Sequence, residues 1–155
     1  MLSEYPQVDL ILAEDNDGHA ELIIENLRSA GFAGNLRRAG NGHDALKLAR
    51  QANAEQCPFL VLLDLNMPGL DGFDVLESLR EDCALRTAPV IVFTSSDRPT
   101  EIERCYELGC NLYLTKPVAM KDFTRSIRLI ADLVACARFP MGTNARRESS
   151  GLYRA

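Results

Sequence analysis

The chain has 155 residues, 46% of them hydrophobic, with 17 Lys and Arg against 22 Asp and Glu for a formal charge of −5. That length suits one domain with one well-filled core, and the composition is that of an ordinary globule rather than a low-complexity chain. The acidic balance, with no Lys/Arg-dense stripe, argues against a nucleic-acid binder, and no stretch approaches the roughly 20 apolar residues that cross a bilayer.

The opening MLSEYPQVDLILAEDN carries Glu4 and no basic segment, which argues against a signal peptide. Within it VDLILA (8–13) reads as a strand that ends in Glu14-Asp15. A helix is predicted over 18–30, with Leu22, Ile23, Asn26 and Leu27 at helical spacing before Gly31. NLRRA (35–39) is a weaker strand between Gly34 and Gly40, and 43–54 places Ala45, Leu46, Leu48 and Ala49 on one helical face. FLVLL (59–63) is a strand that runs into Asp64, and the helix over 72–81 carries Phe73, Val75, Leu76 and Leu79. PVIVF (89–93) leads to Thr94-Ser95-Ser96, and the helix over 99–108 carries Ile102, Cys105, Tyr106 and Leu108. NLYLT (111–115) leads to Lys116-Pro117, and the last helix, 119–138, spaces Met120, Phe123, Ile127, Ile130 and Val134 by threes and fours.

The four strongest strands are nearly all apolar, as in parallel sheets covered on both sides, so all four are expected to be buried on both faces. Five strand–helix repeats predict an α/β fold, a doubly wound parallel five-stranded sheet with helices on both faces. Residues 1–138 form the one domain. From 139 to 155 the chain has no period and reads as a mobile tail, with no room for an output domain.

Ligands bind at the carboxyl ends of parallel strands. Here those ends deliver Glu14-Asp15, Asp64, Thr94 and Lys116 to one edge, where Pro117 fixes the backbone after Lys116. Polar loops are common, and any one of these ends fits that bland reading; the four together do not. Carboxylates about 4 Å apart repel by roughly 4 kcal/mol per pair at an effective dielectric of 20. Such a cluster protonates or holds a cation, and hard oxygen donors without His or Cys select Mg²⁺. A lysine and a threonine hydroxyl in the same cleft suit an anion. Together they suit phosphoryl transfer with Asp64 as acceptor.

EDN (14–16), DLNMPGLDG (64–72), TSS (94–96) and TKP (115–117) resemble the motifs of response regulator receiver domains of two-component systems, in order and over residues 8 to about 137. The resemblance implies the flavodoxin-like (βα)5 receiver fold and a phosphoryl group taken by Asp64 from a sensor histidine kinase. It further implies that Asp15 ligates Mg²⁺ directly and Glu14 through water, with Asn66 offering its main-chain carbonyl. Lys116 is then the partner of the phosphoryl group, Thr94 its hydrogen-bonding switch hydroxyl, and Tyr113 the aromatic switch. The readout is a shift in the face built by the fourth helix, fifth strand and fifth helix.

The stretch CYELGCNLYLTKPVAMKDFTRSIRLI (105–130), the EDN start and ARQANAEQCPFL are similar to single-domain regulators that partner bacterial phytochrome histidine kinases. Two departures stand out: Glu14 where Asp is commoner, and Ser95 where Ala or Gly is frequent.

Leu129, Leu133 and Cys136 give the last helix a second apolar face, which points to a homodimer or docking surface, against the blander reading of a broader sheet contact. Five cysteines (57, 83, 105, 110 and 136), odd in number and without CxxC, and two separate histidines offer no zinc spacing. The cysteines read as reduced packing residues in a cytoplasmic protein. His19, next to the acid pair, is a candidate modulator of phosphotransfer but reads better as a solvated helix residue, and Arg146-Arg147, a candidate site for an acidic partner, reads as ordinary tail charge. The chain is expected not to be an enzyme. A haloacid dehalogenase-type phosphatase places a general acid two residues after its nucleophile, where this chain has Asn66. A non-phosphorylated pseudo-receiver would need a broken site, and a flavin module a Ser/Thr-rich phosphate loop.

Overall fold

The computed structural model describes residues 7–140. Ten elements alternate along it: β1 Asp9–Ala13, α1 Asp17–Ser29, β2 Leu36–Ala39, α2 Gly42–Ala54, β3 Phe59–Leu63, α3 Gly72–Glu81, β4 Val90–Thr94, α4 Pro99–Glu107, β5 Leu112–Thr115 and α5 Met120–Cys136. All strand pairs are parallel, in the order β2-β1-β3-β4-β5. The chain steps outward from β1 in one direction to β2 and in the other through β3 to β5. The order therefore reverses between β1 and β3, and a crevice opens there at the carboxyl edge.

Alternate side chains of each strand divide into two cores. Ile11, Val61, Leu63, Val90 and Val92 meet Ala45, Leu46, Ala49, Val75, Leu76, Leu79 and Cys105 of α2, α3 and α4. Leu10, Leu12, Leu60, Leu62, Ile91 and Phe93 meet Ile23, Leu27, Phe123, Ile127, Ile130 and Val134 of α1 and α5. Each fully buried Leu, Ile or Val contributes roughly 1.5–3 kcal/mol, which is why the apolar strand runs sit inside. Phe139, at the start of the sequence-read tail, packs against the second core; residues 141–155, including Arg146 and Arg147, lie outside the described residues.

Local chemistry sets the helix starts. The Asn16 and Asn41 side chains accept from the N–H groups of His19 and Asp44, and Asp71 and Asp74 form a reciprocal capping box on α3. The PGLDG segment folds back on β3 so closely that a Cβ on Gly72 would lie 2.5 Å from the Asp64 carbonyl oxygen, and Gly69 adopts φ +73. Only glycine suits both positions.

Three expectations from the sequence are corrected. β5 is not buried on both faces: Leu112, Tyr113 and Leu114 are half-buried and Thr115 is exposed, because β5 is an edge strand with a neighbour on one side only. Met120 leaves the core stripe of α5 and is 58% exposed, since the first turn overhangs the sheet end. Tyr106 is 47% exposed, and of the four apolar α4-segment positions only Cys105 is buried. α4 covers the sheet at its edge, where one apolar row suffices.

Candidate functional site

Ala13 of β1 and Leu63 of β3 are register partners, so the next residues, Glu14 and Asp64, emerge side by side at the crevice. Both are buried, whereas Asp15 is exposed. One oxygen from each of Glu14, Asp15 and Asp64 lies within 4.8 Å of the other two. On the far side Thr94 pairs with Thr115, and the Lys116 N–H donates to the Thr94 carbonyl at 2.7 Å. That bond fixes where the buried Lys116 side chain enters.

The Lys116 ammonium has three protons and three acceptors: Glu14 Oε2 at 2.7 Å, His19 Nδ1 at 3.2 Å and Asp64 Oδ2 at 3.3 Å. Backbone N–H groups serve the other oxygens, Asn16 N on Glu14 Oε1 at 3.2 Å and Asn66 N on Asp64 Oδ1 at 3.3 Å. Burial pushes the Glu14 carboxyl up to about 7, and the Asp64 charge adds to this while the Lys116 hydrogen bond and charge oppose it. One ammonium does not balance three carboxylates, so the site holds surplus negative charge.

The residues present fit a hard divalent cation. The clustered donors are all oxygens, and the nearby imidazole nitrogen is occupied by Lys116. The Thr94 hydroxyl is the second indication of a ligand: its Oγ1 is fully buried with no hydrogen-bond partner among the described residues. Buried hydroxyls are rarely left so. Asn66, two residues after the acid, is exposed, and Ser95 is exposed directly after Thr94.

Tyr113 lies half-buried against the first core, its hydroxyl donating to the Ser96 carbonyl at 2.7 Å. Burial pushes its phenol up, which keeps it a neutral donor. Leu129 and Leu133, 59% and 48% exposed, and the exposed Cys136 lie on the outer side of α5, apart from this cluster.

Several contacts were not foreseen from the sequence. His19 is no merely solvated helix residue, since it touches Lys116 and rests on the Phe123 ring. Arg38 of β2 donates to the carbonyl oxygens of Glu14 and Asp15 and pairs with Asp17 at 2.7 Å, which pins the acidic loop. Tyr106 of α4 accepts the Tyr113 N–H at 3.1 Å, and Ser96 bonds Glu101. The RR dipeptide inside a weak strand was a usable signal for Arg38; nothing local marks the others.

The family profile described as "Response regulator receiver domain" matches residues 10–128. The polar-differentiation response regulator DivK of Brucella anthropi is 32% identical over 119 residues, 77% of this chain and 92% of that protein. A response regulator receiver domain from Rhodospirillum rubrum is similar in structure, with TM-score 0.81, 35% identity, and 87% of this chain and 99% of that chain covered. The phosphorylated cyanobacterial phytochrome response regulator RcpA gives TM-score 0.79 and 31% identity over 86% of this chain and 99% of its own.

Proposed function

This chain belongs to the response regulator receiver domain family of two-component systems, and on that premise we propose that Asp64 accepts a phosphoryl group from a sensor histidine kinase. The observation that carries the reading is the fully buried Thr94 Oγ1, without a partner, on the strand-end edge that also holds Lys116 and a surplus of carboxylates. An incoming phosphoryl group supplies acceptors for both.

An Asp64 carboxylate oxygen attacks phosphorus, and the phosphorus–nitrogen bond of the donor phosphohistidine breaks with its electron pair going to the imidazole. Each Asp64 oxygen carries one long contact, Oδ1 with the Asn66 N–H and Oδ2 with Lys116, both at 3.3 Å. Lys116 then turns to a phosphoryl oxygen and Thr94 donates to another. Asp15 and Asp64, with Glu14 through a water and the Asn66 carbonyl, would hold Mg²⁺, which supplies positive charge to spread over the phosphoryl oxygens when bound.

Phosphorylation adds about −1.5 to −2 charge, and the pull on Thr94 and Lys116 reaches α4, β5 and α5 through the Ser96 carbonyl and Tyr113. A coupling of about 1–3 kcal/mol suffices to shift the populations of that face. We assign the outer α5 residues Leu129, Leu133 and Cys136 to a homodimer contact, the kinase partner to the bacterial phytochrome class on the likeness to RcpA, and the setting to the cytoplasm. No helix among the described residues is long and apolar enough to cross a membrane. One phosphoryl group per chain, not turnover of a substrate, is the expected behaviour.

The test is intact mass after incubation with Mg²⁺ and acetyl phosphate, beside Asp64→Asn. One added phosphoryl group, absent in the variant and without Mg²⁺, supports the reading. No adduct with or without a kinase makes the chain an unphosphorylated binding module, and release of phosphate over many turnovers makes it a phosphatase. Transfer from a phytochrome histidine kinase at the rate of an unrelated kinase removes the phytochrome assignment.

A further inference from the structure

We propose that His19 is a positioning residue for Lys116: its neutral imidazole, carrying the proton on Nε2, accepts a Lys116 proton at Nδ1 and holds the ammonium between Glu14 and Asp64. The inference rests on the proposed phosphoryl transfer to Asp64.

An ammonium is a donor only, so a 3.2 Å contact with Nδ1 requires a lone pair on that nitrogen. The competing arrangement, an Nδ1–H donating to Glu14, fits less well. Glu14 Oε1 is 3.7 Å from Nδ1 and already accepts the Asn16 N–H at 3.2 Å. Nε2 is left for solvent, in keeping with a side chain that is 43% exposed.

Fixed parts of the fold hold the ring in place. The His19 N–H bonds the Asn16 cap at 2.9 Å, which fixes the first turn of α1. The ring lies tilted 42° to Phe123 at a centroid distance of 6.3 Å, and Phe123 meets Phe93 at 5.6 Å. Phe93 in turn precedes Thr94 and lies 6.0 Å from the Lys116 ammonium. His19 thus ties the start of α1 to the lysine through a hydrogen bond and to the strand bearing Thr94 through tilted ring contacts.

The consequence concerns direction. When Asp64 gains its phosphoryl group, the Asp64 contact is the one to change, while Glu14 and His19 retain two of the three ammonium protons. The third is then aimed at the phosphoryl oxygen instead of sampling solvent. Without His19 the flexible lysine stem loses one of its two anchors, and the reacting geometry is reached less often.

Two variants separate the hydrogen bond from the ring. His19→Phe keeps the ring contact with Phe123 and removes the acceptor; His19→Asn removes the ring and places an amide oxygen near the Nδ1 position. Uptake of a phosphoryl group from acetyl phosphate, followed by intact mass with Mg²⁺, is expected to slow about fivefold in His19→Phe, the scale of one net hydrogen bond, and to recover in His19→Asn. Nitrogen NMR of the unphosphorylated protein is expected to show His19 with an unprotonated Nδ1, and the Lys116 ammonium protons exchanging faster in His19→Phe than in the wild type. Equal rates in wild type and His19→Phe, no recovery in His19→Asn, or a protonated Nδ1 each overturn the proposal. Should the wild type itself take up no phosphoryl group, the proposed function falls while the nitrogen spectra still decide the His19–Lys116 bond.

Discussion

β3 and β5 each hand one charged side chain to the site, yet they are built in opposite ways. β3 has strands on both sides and all five of its residues are buried, whereas β5 has one neighbour, three half-buried residues and one exposed. Asp64 therefore stands on the part of the sheet with most to lose by moving. Lys116 and Tyr113 stand on the part with least, held by a few specific bonds to Ser96, Tyr106 and the carboxylates. The lesson is that the acceptor is fixed by packing and the response by polar contacts at a thinly covered edge, where local opening is cheap.

The largest test of this contrast is truncation. Leu62→Ala in β3 is expected to cost about 3 kcal/mol of unfolding free energy, and Leu112→Ala in β5 about 1 kcal/mol, since the latter side chain is half in water already. Urea denaturation checks both, and equal losses would erase the distinction.

The buried acid beside β3 sharpens it next. The Glu14 carboxyl stands at about 7 in the folded chain against 4.5 for the unperturbed group, so between these values the folded state binds more protons than the unfolded one. Stability of the metal-free protein then falls as pH rises from about 4.5 to about 7, by about 2 kcal/mol relative to Glu14→Gln, in which this contribution is absent. Urea midpoints of the two proteins across that interval read the difference; parallel profiles would mean that Glu14 is fully paired.

At the edge, Tyr106→Phe removes the acceptor of the Tyr113 N–H. A loss of about 0.5–1 kcal/mol is expected, with faster hydrogen exchange at Tyr113 and unchanged exchange in β3. The smallest folding effect belongs to Leu133→Glu on the outer side of α5, expected to change stability by less than about 0.5 kcal/mol. Its readout is mass by sedimentation: a dimer reduced to a monomer supports the assigned contact, and no change in mass removes it.

Much of this was legible along the chain. The runs VDLILA, FLVLL and PVIVF announce buried strands because nearly every residue is apolar when both faces are covered, the buried Asp9 being paired with Arg37, and the polar groups that follow them announce the site edge. PGLDG announces a tight return because Gly69 and Gly72 tolerate what other residues do not. The misreadings have a common origin. Met120 fits the spacing of the α5 stripe, but spacing does not say where the sheet ends beneath it. LYLT has the hydropathy of a central strand, but hydropathy does not say that no sixth strand lies beyond it. His19 meets Lys116 across 97 positions of sequence, and Arg38 meets Glu14 across 24.

The sequence by itself thus determined the class of fold, the strand ends and the chemistry delivered there, because period, turn residues and the placement of charge after an apolar run are local properties. Tertiary structure alone decided the register that seats Glu14 beside Asp64, how deeply each acid is buried, and which strand is left thinly covered at the edge. It also decided the pairing of one ammonium with Glu14, Asp64 and His19 together. Those outcomes depend on distances between distant segments and on how much water each pair retains, and neither is written in any single stretch of the chain.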